Sequence, residues 1–189
     1  MPRRVVPLVS GGYYHVYNRG NNYQPIFFDR ENRRFFLAQL RRYVAGPCAE
    51  LLAYVLMPNH YHLLLKMIGE TFSSGMQKFA ISYTKAINKR YGRVGALFQG
   101  AYQAILVEDD AHLLHLARYI HLNPVRAGLA KKPEDWEFSS YRETIGLRPG
   151  TLPNPDMILS FFASAGAAVE TRQQRYQQFV ADWGEGDSD

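Results

Sequence analysis

His60-Tyr61-His62 places two histidines on either side of one tyrosine, and that spacing suggests a metal site. Side chains two apart on a strand project from the same face, so both imidazoles can meet one cation. Neutral imidazole is a common ligand for divalent metals. Two histidines make only an open site, however, and other elements must complete it. A helical stretch downstream offers candidates. At 100° per residue, His112, His115, Tyr119 and Asn123 fall within an arc of about 80°. Leu113, Ala117 and Ile120 occupy the adjacent side, although Leu116 interrupts the separation. For His112 and His115 the plainer reading is a solvated polar face. Tyr119 and Asn123, one turn apart, put a phenolic oxygen next to an amide oxygen. A phenol has an ordinary pKa near 10, so as a nucleophile it needs activation. A divalent ion can polarise a scissile phosphate and screen the charge that develops on it. A mixed nitrogen and oxygen ligand set with room for phosphate oxygens suggests Mg²⁺ or Mn²⁺.

The elements that must position these residues can be read from periodicity. Residues 13–18 have strand composition and end in a turn signal at Gly20-Asn21-Asn22. From Asp29 to about Val44 the pattern is helical, with Phe35, Phe36, Leu40 and Tyr43 as the apolar stripe and Gly46-Pro47 as the stop. Strand-like runs at 50–56 and 61–67 are joined by Met57-Pro58-Asn59, a hairpin signal. A second helix spans about 73–91. Met76, Phe79, Ala80, Tyr83, Ile87 and Tyr91 share its apolar side, and Lys78, Lys85 and Lys89 line the other. A fourth strand at 102–107 precedes the tyrosine-bearing helix, about 109–123, which Pro124 is expected to end. This order predicts an α+β fold: a ferredoxin-like split βαβ antiparallel sheet with two helices on one face. The nucleophile helix is added to it, then a Pro- and Gly-rich linker from 147 and a C-terminal helical extension, with 184–189 expected to fray.

Composition narrows the class. The 189 residues are 47% apolar and 21% charged, which argues against global disorder and suits one domain. A net charge of +5 and a pI near 9.3 make nucleic acid a plausible partner. The single cysteine, Cys48, excludes an intramolecular disulfide and a Cys-rich zinc site, and it reads as a small packed residue. The start, Met-Pro-Arg-Arg, lacks a signal-like apolar region, and the longest apolar run, 51–58, is too short for a bilayer. A cytoplasmic protein without membrane partner or small-molecule cofactor is expected.

Several stretches resemble the single-tyrosine HUH transposases of short insertion sequences, and most of all the REP-associated tyrosine transposases. The resemblance covers 12–146, taken as the transposase domain, with 147–189 as its extension. "YHVYNRGNNYQPIF" (14–27) is similar to the family's first strand and loop, and "MPNHYHLLL" (57–65) to its histidine motif. "GALFQGAYQAILV" (95–107), "YIHLNPVRAGL" (119–129) and "WEFSSYR" (136–142) match the fourth strand, nucleophile helix and closing segment. The resemblance implies that His60 and His62 bind the metal, Asn123 is the polar ligand and Tyr119 the nucleophile. It further implies metal-dependent cleavage of single-stranded DNA beside an imperfect hairpin, through a 5′-phosphotyrosine that a DNA 3′-hydroxyl can reseal. Such a protein would be bacterial, associated with the nucleoid when bound to DNA. The extended tail favours a monomer over the dimer of insertion-sequence members.

Two departures stand out. Many relatives carry basic residues in the fourth-strand motif where this chain has Ala101 and Gln103, which weakens phosphate contacts there. Lys78, Lys85, Lys89, Arg90 and Arg93 are candidates to compensate, each with a solvated helix face as the plainer reading. The residue between the histidines is Tyr61, expected to pack on the opposite face. Arg19 is a further DNA-binding candidate or a loop brace. Tyr14, Tyr17, Tyr83, Tyr102 and Tyr141 could stack on bases but read first as core or rim. Two other functions fit the same residues: a non-catalytic binder of structured single-stranded nucleic acid, and a hydrolase using activated water.

Overall fold

The chain is described by a computed structural model over residues 8–163 and 168–183. The basic N-terminal residues and the segment expected to fray, 184–189, lie outside the described residues. Four strands, β1 (Tyr13–Arg19), β2 (Ala49–Leu56), β3 (His60–Met67) and β4 (Gln103–Leu106), form one sheet in the order β2-β3-β1-β4. All neighbouring strands are antiparallel. Helix α1 (Arg30–Tyr43) joins β1 to β2, and α2 (Phe72–Tyr91) joins β3 to β4. This is the split βαβ arrangement that the element order predicts. Local signals start and stop both helices. The Asp29 carboxylate accepts from the Asn32 N–H at the start of α1, and Gly92, left-handed at φ 62°, closes α2.

The sheet is covered on both faces, because its strands alternate. Tyr14, Val16, Tyr61, Leu63 and Leu65 point towards α1 and α2, where they pack with Phe36, Leu40, Met76, Phe79 and Tyr83. Tyr61 is buried there against Phe36, Phe79 and Phe98, as its position between the histidines implies. The other face belongs to α3 (Asp110–Arg126), whose Leu113, Leu116, Ala117 and Ile120 meet Val55, Met57 and Leu64. Beyond α3 come α4 (Tyr141–Thr144), α5 (Asp156–Ser160) and α6 (Val169–Ala181). The tail packs on the domain: Ile158 and Leu159 of α5 and Tyr176 and Val180 of α6 join the α3 core. No helix of the described residues is long and apolar enough to cross a membrane.

Two local expectations are corrected. Pro124 does not end the tyrosine-bearing helix, which runs on to Arg126. Proline removes only its own bond to the preceding turn, while Ala127 N–H still bonds Asn123 O and Leu129 N–H bonds Pro124 O. Tyr91 leaves the apolar side of α2 and is exposed, its hydroxyl donating to the Asp29 carboxylate. The open edge of β2 is closed by 138–140, where Ser140 N–H bonds Tyr54 O and Leu56 N–H bonds Phe138 O.

His121 ties these layers together. It is fully buried, its Nδ1 is 2.6 Å from the Tyr176 hydroxyl and its Nε2 is 2.8 Å from Ser140 Oγ. Burial pushes its pKa down to about 3. The unfolded chain therefore takes up a proton on this residue as pH falls below about 6.5, while the folded chain does not. Its stabilising contribution is complete above that pH and is lost progressively towards pH 3, by about 2 kcal/mol at pH 5. His121→Gln should lower stability at pH 7 and flatten the loss between pH 7 and 5 by that amount, measured by denaturant midpoints at both pH values.

Candidate active site

The register of β1 on β3 sets Tyr17 opposite His62 and Arg19 opposite His60. Residues 15, 17 and 19 therefore share a face with both histidines, and it is the face that α3 covers. The rings of His60 and His62 lie 5.0 Å apart and nearly perpendicular. Tyr119, half-buried on α3, presents its ring edge-on to His62 at 5.5 Å and to His15 at 6.4 Å. Asn123, one turn on, hydrogen-bonds His60. The Arg126 guanidinium sits 5.3 Å from the centre of the Tyr119 ring and 5.0 Å from that of Trp183. The sheet and α3 thus form the two walls of one site.

Each histidine is oriented through its Nδ1. His60 Nδ1 is 2.7 Å from Asn59 Oδ1, and in the tautomer that donates to this amide oxygen the Nε2 lone pair is kept. His62 Nδ1 is 2.8 Å from His15 Nε2. With the shared proton on His62, its Nε2 also keeps a lone pair. Burial depresses all three pKa values. His62 falls well below 6.5, chiefly by desolvation and then by His15 and His60. His15 falls to about 4, by desolvation and then His112. His60 is lowered by desolvation, with the Asn123 bond opposing. At neutral pH the imidazoles are uncharged, the form that ligates metals.

The donor set therefore fits a divalent cation. Two Nε2 atoms have second partners that orient them, as metal-binding histidines usually do. Among the described residues no group of three His, Cys, Asp or Glu side chains surrounds a metal-sized space. The third protein donor would be the Asn123 amide oxygen, leaving open positions for phosphate oxygens.

The structure thus gathers His60, His62, Tyr119 and Asn123, with Arg19 on the rim. It does not bring the α2 cations to them, because α2 lies across the sheet. Lys78, Lys85 and Lys89 are exposed on that far side. Arg90 is engaged with Asp29 and Glu31 at 2.9 and 2.8 Å. Arg93, just past α2, reaches Gln24 at 3.3 Å and the Phe28 ring. His112 is half-buried near His15 rather than simply solvated, whereas His115 is exposed and bonds Arg118. Sequence reasoning passed over His15 and Arg126 and left Tyr17 as core or rim. The signal for His15 and Tyr17 was available in their alternation with Arg19, but only the β1–β3 register shows which histidine each one meets.

A ferredoxin-like sheet with a histidine pair facing a helix-borne tyrosine is a recognisable class of architecture. Residues 8–123, more than half the chain, match the family described as Transposase IS200 like. The chain belongs to that family. It is 25% identical over 109 residues to a Haemophilus influenzae protein assigned to the REP-associated tyrosine transposases, covering 51% of this chain and 61% of that one. It is 27% identical over 104 residues to the REP-associated tyrosine transposase of Escherichia coli, covering 53% and 60%. The chain thus spans about three fifths of these curated relatives. A solved REP-associated tyrosine transposase bound to a REP hairpin shares the fold, with TM-score 0.63 at 22% identity over 82% of this chain and 94% of that one.

The histidine pair is braced by the loop that leaves β1. Gly20 N–H bonds Asn59 O at 2.7 Å, and a Cβ on Gly20 would sit 1.9 Å from the Gln24 carbonyl oxygen. Gly20→Ala must push this loop away from Asn59, so it should destabilise the protein by about 2–3 kcal/mol, read as a lower denaturant midpoint with an unchanged slope.

Proposed function

We propose that this protein cleaves and rejoins single-stranded DNA at hairpins, with Tyr119 as nucleophile and a divalent cation held by His60, His62 and Asn123. The observation that carries this reading is the convergence of Tyr119 on the two oriented, neutral histidines. Family membership, the +5 net charge and a fold neighbour bound to a REP hairpin support DNA as the substrate. Tyr119 Oη attacks the scissile phosphorus and forms the new P–O bond. The P–O3′ bond breaks, and the departing DNA 3′-oxygen takes up a proton in place of the one that the phenol gives up, so it leaves as a hydroxyl. A DNA 3′-hydroxyl attacking the 5′-phosphotyrosine reverses these steps and reseals the strand, so bond energy is conserved.

Mg²⁺ or Mn²⁺ would supply polarisation of the phosphate and screening of its developing charge. The chain's own residues do the positioning. Asn59 and His15 orient the two imidazoles, and packing of Leu113, Ala117 and Ile120 holds α3 so that Tyr119 faces them. The rigid sheet and helix keep nucleophile and ligands in register, which is the entropic part of catalysis. His60, His62, Tyr119 and Asn123 all come from one chain, which favours the monomer reading.

Labelled hairpins incubated with Mg²⁺ or Mn²⁺ should yield a denaturant-resistant protein–DNA adduct. EDTA should prevent it, and Tyr119→Phe, which lacks the attacking oxygen, should abolish it while hairpin binding is retained. An adduct that persists in Tyr119→Phe would place the nucleophile elsewhere, and cleavage without any adduct would select activated water. His15 is a positioning residue in this scheme. His15→Phe should weaken Mn²⁺ binding about 10- to 100-fold with the fold intact, measured by calorimetry without DNA.

A further inference from the structure

The loop after β1 carries an exposed aromatic that the core does not explain. Tyr23 is 62% exposed, and the Arg19 guanidinium lies over its ring at 4.0 Å from the centroid. Single exposed aromatics are ordinary. Three features set this one apart. Its backbone is left-handed, with φ 50° at Asn22 and 58° at Tyr23, a conformation that bulky residues adopt only when their surroundings impose it. Those surroundings are rigid: Asn21 N–H bonds Leu97 O, Gln99 N–H bonds Arg19 O, and Gly20 has no room for a Cβ. The loop is also joined to the catalytic site. Asn59 Nδ2 donates to Tyr23 O at 3.1 Å, while Asn59 Oδ1 accepts from His60. Arg19 is the cross-strand partner of His60.

We infer that Arg19 and Tyr23 form a stacking platform that takes one unpaired base of single-stranded DNA next to the reacting phosphate. The inference rests on the proposed function for the identity of the strand. Every base offers a π face, and both an aromatic ring and a guanidinium plane stack on it. Arg19 occupies one face of Tyr23 and leaves most of the residue open to water. The cation also suits the polyanionic strand, and Arg93, reaching Gln24 on the same loop, adds a second positive charge to this rim. A strained backbone that holds a large ring out in water gains no burial from it, whereas a pre-positioned ring binds a base without first being ordered.

The test is a set of hairpins whose single-stranded flank carries one abasic site at a time, with affinity read by fluorescence anisotropy. It is run in the Tyr119→Phe background so that no strand is cut. One flank position should lose about tenfold in affinity when its base is removed. Tyr23→Ala and Tyr23→Gly should weaken binding of the intact hairpin by a similar factor and abolish the penalty at that position, while Tyr23→Phe keeps both. Tyr23→Gly suits the left-handed backbone and should melt no lower than Tyr23→Ala, so weaker binding cannot be ascribed to unfolding. Binding unchanged in both variants, or an abasic penalty that persists without the ring, would overturn the platform. If the wild type forms the adduct on the same hairpin, the proposed function stands despite that outcome. If the parent binds no hairpin, both fail.

Discussion

The pairing of β1 with β3 at the centre of the sheet is the constraint on which the site depends. In this register Tyr61 enters the aromatic core beneath α1 and α2 while His60 and His62 face α3. A slip of one residue would turn β1 over and send His15, Tyr17 and Arg19 to the wrong face. The apolar neighbours Tyr14 and Val16, fully buried on the opposite side, oppose that slip. Thus the hydrophobic pattern that stabilises the sheet also sets the geometry of its polar face. Packing and chemistry use alternate residues of the same two strands.

Burying imidazoles has an energetic cost that the site offsets locally. His15 and His62 share one hydrogen bond, and His60 has Asn59 on one side and Asn123 on the other. The neutral form is favoured because charge would have to be desolvated. The same physics operates for a different purpose at His121, where a neutral buried ring links α3 to α6 and to Ser140. One helix therefore bears a histidine that holds it in place and, two residues earlier, the tyrosine that it presents.

Charge is distributed differently from what a count of lysines suggests. The aligned lysines of α2 lie across the sheet from the histidines, and Arg90 spends its charge on the start of α1. Among the described residues, single arginines from separate segments stand out instead: Arg19 on β1 and Arg126 at the end of α3 near the histidines and Tyr119, and Arg93 after α2 against the loop that follows β1. Each lies against an aromatic ring, Tyr23, Tyr119 and Phe28 respectively. Stacked guanidinium groups are well suited to contacts with phosphates and unpaired bases.

Much of this protein was legible in its sequence, because local rules act there. Alternation and the Met57-Pro58-Asn59 turn define β2 and β3, Asp29 and Asp109 mark helix starts, and the i, i+4 spacing puts Tyr119 and Asn123 on one face. The motif resemblance by itself singles out His60, His62 and Tyr119. Where local signals misled, as at Pro124 and Tyr91, tertiary contacts outweighed a preference that is modest by comparison. The involvement of His15, the isolation of the α2 lysines and the link from Tyr23 through Asn59 to His60 were not legible, since each depends on residues far apart in the chain. Which residues can line one face is determined by periodicity along the sequence. Which faces meet was decided only when strand register and two-sided packing brought 15, 62 and 119 together, because those contacts become favourable only once the whole core forms.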